Sequence, residues 1–142
     1  MPDTLFSLAG LVAASGWIAL LASPWLGTVA GRYASLVVPA VIAVVYTGLV
    51  LAFWTRASGG FGSLDDVARL FETRELLLAG WLHYLAFDLF VGAWEVRTAR
   101  AAAIPFLLVV PCLALTFLFG PAGLLAFLML MAAFRAARPG IA

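Results

Sequence analysis

Four stretches of this chain stay apolar for about twenty residues each, the length that a bilayer core of about 30 Å demands of a helix. They run over residues 5–25, 35–54, 76–96 and 102–134. Charged residues make up only 11% of the 142 and hydrophobic ones 65%, whereas an average soluble domain is about 25% charged. So few charges cannot coat a water-exposed surface of this size. The sequence therefore predicts an all-α integral membrane protein, one domain over 1–142, built as a bundle of four transmembrane helices. The last stretch exceeds a simple span, because its length as helix would be about 48 Å. Gly120-Pro121 interrupts it. The preferred reading is one long helix kinked there. The alternative is a hairpin giving five spans, with halves of about 16 and 14 residues that are short for crossing.

The segment before the first span carries Asp3 and no arginine, so it lacks the positive region of a secretory signal. That span is expected to remain in the mature protein, with Pro24 marking its end. Between the second and third spans, "RASGGFGSLDDVARLFETRE" holds most of the charges. Ser63 followed by Asp66 reads as a helix start. Leu64, Val67, Leu70 and Phe71 then recur at helical spacing, the pattern of a short helix lying in the membrane interface. With four spans, Arg56, Arg69, Arg74, Arg135 and Arg138 share one side and Arg32, Arg97 and Arg100 the other. Five against three favours both termini inside, and the expected location is a bacterial inner membrane, crossed several times.

The inventory excludes several chemistries. A net charge of +1 without a basic cluster gives no reason to expect nucleic acid. A lone Cys112 forms no internal disulfide and no thiolate cage. One histidine cannot build a histidine-rich di-iron site, and no dinucleotide fingerprint, P-loop or G-x-S-x-G elbow is present. No metal and no cofactor are expected. Proton chemistry and binding remain.

The third span concentrates the polar residues: "GWLHYLAFDLFVGAWE", residues 80–95, places His83 and Asp88 near mid-membrane. Both side chains are too short to snorkel, and ionisable groups in hydrocarbon face a partner or a cavity. At 100° per residue, Trp81, Tyr84, Asp88, Gly92 and Glu95 share one side of the helix. His83 falls with Phe87, Phe90 and Trp94, about 140° from Asp88. His83 and Asp88 cannot bond each other, whereas Tyr84 and Asp88 are one turn apart. Trp81, Phe87, Phe90 and Trp94 form an aromatic wall. Glu95 sits beside Arg97 and reads as reaching the interface. Thr116 lines a cavity or bonds a backbone carbonyl. The plain structural alternative is that these polar groups only join neighbouring helices.

Two motifs carry a resemblance. "WLHYLAFDLFVG" supplies Trp81, His83, Leu85, Asp88, Leu89 and Phe90 of a W-x-H-x-L-x-x-D-L-F core. "PCLALTFLFGPAG" supplies Leu115, Pro121 and Gly123 of a later element. Together they resemble the membrane family named after the plant abscisic-acid-deficient protein required for neoxanthin formation. The likeness is close over the second half of the chain and rests on hydropathy over the first. It implies a role in carotenoid metabolism. Plant members are linked to conversion of violaxanthin, an epoxide, into neoxanthin, an allene. That change is redox-neutral, needing an acid at the epoxide and a base at a carbon-bound proton.

On this basis Asp88, His83 and Tyr84 are the expected catalytic residues of a carotenoid isomerase. Trp81, Phe87, Phe90, Trp94, Glu95 and Thr116 are expected to bind a lipophilic polyene or isoprenoid. A homodimer or a carotenoid-enzyme partner is the expected assembly. Two rival readings are a non-catalytic carotenoid- or lipid-binding helper and a proton-coupled carrier.

Overall fold

The computed structural model describes residues 1–137, and every regular element among them is helical. In chain order these are α1 (Pro2–Arg32), a π-helical turn (Tyr33–Val37), α2 (Val38–Phe53), a 3-10 turn (Trp54–Arg56), α3 (Leu64–Leu70), α4 (Arg74–Ala101), α5 (Phe106–Phe119) and α6 (Pro121–Ala136). Two segments, Pro2–Arg56 and Arg74–Ala101, are long and apolar enough to cross a membrane.

The first is 55 residues long, about 80 Å if straight, but it doubles back. Gly27 adopts φ 69° and ψ −150°, a conformation that glycine enters without a Cβ penalty. Pro24, the expected end of the first span, lies inside α1, and the reversal comes three residues later. Ser15 Oγ then lies 2.9 Å from Tyr33 Oη, and Val38 packs on Gly16. The π-helical turn directly precedes Pro39, whose missing N–H disrupts the regular i→i−4 ladder.

α4 is the central element. Phe6 meets Trp81 with ring centroids 5.4 Å apart, and the Trp17 ring lies on Gly92, so α1 and α4 run parallel. Tyr46 faces His83 at 6.0 Å, while Leu89 and Val38 meet over Gly16, so α2 runs antiparallel to α4. Leu20, Ile42, Leu82 and Leu89 fill the seam. The predicted interfacial helix is α3. The Asp66 N–H donates to Ser63 Oγ at 3.1 Å, and Ser63 Oγ donates back to Asp66 Oδ2 at 2.8 Å.

The last apolar stretch is not the single kinked helix that its length suggested. At Gly120, with φ 29° and ψ −87°, the chain reverses. Gly123 lies against the Thr116 backbone nitrogen and hydroxyl so closely that a Cβ has no room. Residues seven apart in a straight helix are separated by about 10 Å. The tip of the hairpin, Gly120, lies against the Asp88 carboxyl, yet Phe127 reaches Trp94 at 5.5 Å. α6 therefore runs back along the second half of α4. Gly120 supplies the left-handed backbone, and Pro121 begins α6 where a missing N–H costs nothing. α5 has 14 residues and α6 has 16, about 21 and 24 Å long, so neither reaches across a 30 Å core. Five full spans fail for the same reason. The hairpin enters and leaves at the end of the bundle where α4 finishes, and its tip stops near the middle of α4.

That reversal also changes which arginines share an end. Arg135 lies with Arg32, Arg97 and Arg100, opposite Arg56, Arg69 and Arg74. Arg138 is outside the described residues.

Candidate functional site

The hairpin tip meets α4 at its two acidic residues. Asp88 is 9% exposed and Glu95 is 0% exposed. They lie about two turns apart on one face, with Gly92 between them admitting the Trp17 ring. Thr116 Oγ1 donates to Glu95 Oε1 at 2.8 Å. The Tyr84 hydroxyl donates to the Phe117 carbonyl at 3.0 Å, at the last turn of α5. Asp88 packs against Gly120, where a Cβ would come within 2.5 Å of Oδ1. Asp88 Oδ2 and Glu95 Oε2 have no hydrogen-bond partner among the described residues, and neither carboxyl forms an ion pair there. Among the described residues, no three of His, Cys, Asp and Glu gather to hold a metal. The arrangement is a set of buried proton-carrying groups spread along one helix face.

Glu95 does not reach the interface, as its neighbour Arg97 had suggested. It points into the bundle, where Thr116 meets it. The signal lay in Gly92 and Thr116, which open space and offer a hydroxyl at the matching depth.

His83 is on the other face, as the helical angle required. It is exposed on the outside of the bundle, stacked on Phe87 at 4.5 Å and near Tyr46. Phe87 and Phe90 are also exposed. A groove of about 290 Å³ runs from His83 and Tyr46 past Phe71 to Trp54 and Phe61. The aromatic residues therefore do not enclose a single slot. Trp94 is half-buried against Phe127, Phe87 and Phe90 face outward with His83, and Trp81 turns toward α1. Asp88 faces the hairpin tip and His83 the groove on the other side of α4.

A larger cavity than that groove lies on the Trp81 side. About 580 Å³ opens between α1 and the first half of α4, lined by Phe6, Phe71, Leu77, Trp81 and Tyr84. Its walls are mostly apolar, and its lining includes no residue of α5 or α6. An Arg74–Asp3 ion pair of 2.7 Å stands at its mouth. Tyr84 is the polar group at the deep end, one turn before Asp88. Neither the ion pair nor the cleft was legible in the sequence, since Asp3 and Arg74 are 71 residues apart.

A model of the ABA4-like family, described as ABA DEFICIENT 4-like, matches residues 4–127. The match extends through the first half of the chain, where hydropathy alone had carried the likeness. No curated protein and no solved structure matches the chain. With α2 to α5, all of α1 from residue 4 on, the hairpin tip, Tyr84, Asp88, Glu95 and Thr116 inside the matched residues, the chain belongs to the ABA DEFICIENT 4-like family.

Proposed function

We propose that this protein is a multi-pass membrane protein of carotenoid or related isoprenoid metabolism that rearranges the end group of a polyene without net redox change. α1 before Gly27, the arm from Gly27 through α2, and α4 each cross the bilayer, and α5–α6 enters from one side to half depth. Four arginines against three favour the Gly27 end inside, with the N-terminus outside.

The cleft beneath the hairpin tip is the observation that carries the reading. It is apolar, and Tyr84, one turn before Asp88, lines its deep end with its hydroxyl donating to the Phe117 carbonyl. A polyene end group fits a slot of this character, and the Arg74–Asp3 pair meets polar substituents at the mouth. In the epoxide-to-allene type of rearrangement, a proton reaches the epoxide oxygen as its C–O bond breaks. A carbon-bound proton leaves to a base, and its electron pair forms the new double bond. No oxidant or reductant enters. In this reading Tyr84 leaves its bond to the Phe117 carbonyl to deliver or accept the proton at the cleft, and Asp88, one turn deeper, exchanges it with Tyr84. Trp81 and Phe6 hold the polyene. Glu95 and Thr116 support the hairpin. His83 has no step in this cleft.

A second reading, a carotenoid- or lipid-binding helper, is favoured by one observation: Asp88 lies behind Tyr84 and does not itself line the cleft. Expression in a carotenoid-producing host separates the two. The catalytic reading predicts a new carotenoid isomer with wild type, abolished by Asp88→Asn and Tyr84→Phe and kept by His83→Ala. Identical pigments in all four hosts overturn catalysis, and pigment that co-purifies unchanged supports the helper.

A further inference from the structure

At the end of the bundle opposite the cleft mouth, a separate cavity of about 250 Å³ opens between α1, α4 and the α4–α5 turn. Ser23, Gly27, Val96, Arg100, Ile104 and Phe106 line it. We infer that this cavity seats the phosphate of an anionic lipid headgroup.

Three donor-bearing elements border it. Ser23 is 2% exposed, yet its Oγ has no hydrogen-bond partner among the described residues. A helical serine ordinarily satisfies itself on a carbonyl one turn back, so a buried hydroxyl left open at a cavity wall points to a ligand. Arg100 is exposed at the last turn of α4 and forms no ion pair among the described residues. The N-terminus of α5 opens at Phe106, and no side chain caps it. Backbone N–H groups at such an end attract anions through unsatisfied donors and the helix dipole. The lining holds no acidic side chain. Its apolar members, Val96, Ile104 and Phe106 among them, suit the first methylenes of an acyl chain, which favours a lipid over free phosphate.

The distribution of charge agrees. Asp3, Asp65, Asp66, Glu72 and Glu75 all lie at the α3 end, and Asp88 and Glu95 are buried. Arg32, Arg97, Arg100 and Arg135 surround the cavity end without an exposed acid among the described residues. Such a surface attracts anionic lipids, and Ser23 with the α5 terminus gives one of them a defined seat. The inference rests on the membrane reading and is independent of the carotenoid chemistry.

Thermal unfolding of the purified full chain in a mild detergent tests it, with phosphatidylglycerol, phosphatidylcholine or inorganic phosphate added. Phosphatidylglycerol is expected to raise Tm and the others not. Arg100→Gln weakens that response roughly tenfold in lipid concentration, Ser23→Ala weakens it severalfold, and Arg135→Gln leaves it. Ser23→Ala is also expected to be at least as stable as wild type without lipid, because it removes an unsatisfied buried hydroxyl. Equal responses to the two lipids overturn the site. So does an Arg135→Gln loss matching that of Arg100→Gln, which marks diffuse surface charge. An inorganic phosphate response equal to that of phosphatidylglycerol overturns the lipid assignment.

Discussion

Replacing Gly123 with alanine is expected to destabilise the fold by about 3 kcal/mol, the upper range for overpacking a closed contact. The added methyl meets the backbone nitrogen and hydroxyl of Thr116 on the facing helix. Backbone cannot swing aside as a long side chain can, so α5 and α6 must separate at their closest approach. Separation pulls Thr116 away from Glu95 and uncovers the buried carboxyls. Gly31 provides the contrast. Nothing lies within 4 Å of a Cβ there, and the position is helical, so Gly31→Ala is expected to be neutral or to stabilise by up to about 1 kcal/mol through helix propensity. Denaturant titration of both variants in detergent measures the difference. Equal stabilities would mean that the hairpin is not closed at Gly123.

Thr116→Val is expected to cost about 2 kcal/mol, because it strips the fully buried Glu95 of its one side-chain donor. The shape of the side chain is nearly conserved, so packing contributes little to that loss. A buried polar group without a partner is penalised more than a pair removed together. Glu95→Leu placed in the Thr116→Val background is therefore expected to recover part of the stability. The same double-mutant cycle gives a coupling of about 1 kcal/mol or more between residues 95 and 116. Additive losses would mean that the two side chains do not interact.

Much of this architecture is legible in the sequence. The apolar lengths give an all-helical chain, Ser63 and Asp66 give the start of α3, and the 100° helical period separates Asp88 from His83. The fate of residues 102–134 is not. Length and a Gly-Pro break are compatible with a kink, two spans or a half-depth hairpin. The choice is made by contacts across the fold: Gly123 on Thr116, Gly120 on Asp88, and Phe127 on Trp94. Glu95 was misread from its neighbour Arg97, which is exposed, whereas the helix turns the two side chains about 160° apart on the helix circumference. The cleft was hidden for a related reason. It is the space that the hairpin fails to fill, and its walls come from residues near 6, 71 and 81 that no local pattern links.

The hairpin thus decides the site, since a full-length last span would cover the cleft and move α6 away from Trp94. Its most direct test is the side of the membrane on which α6 ends. In a Cys112→Ala background, single cysteines at Ser63→Cys, Thr28→Cys and Ala137→Cys can be labelled with an impermeant maleimide in sealed vesicles of known orientation. The half-depth hairpin predicts that position 137 labels from the same side as position 28, opposite position 63. Labelling of 137 together with 63 would restore a complete last crossing and contradict the account.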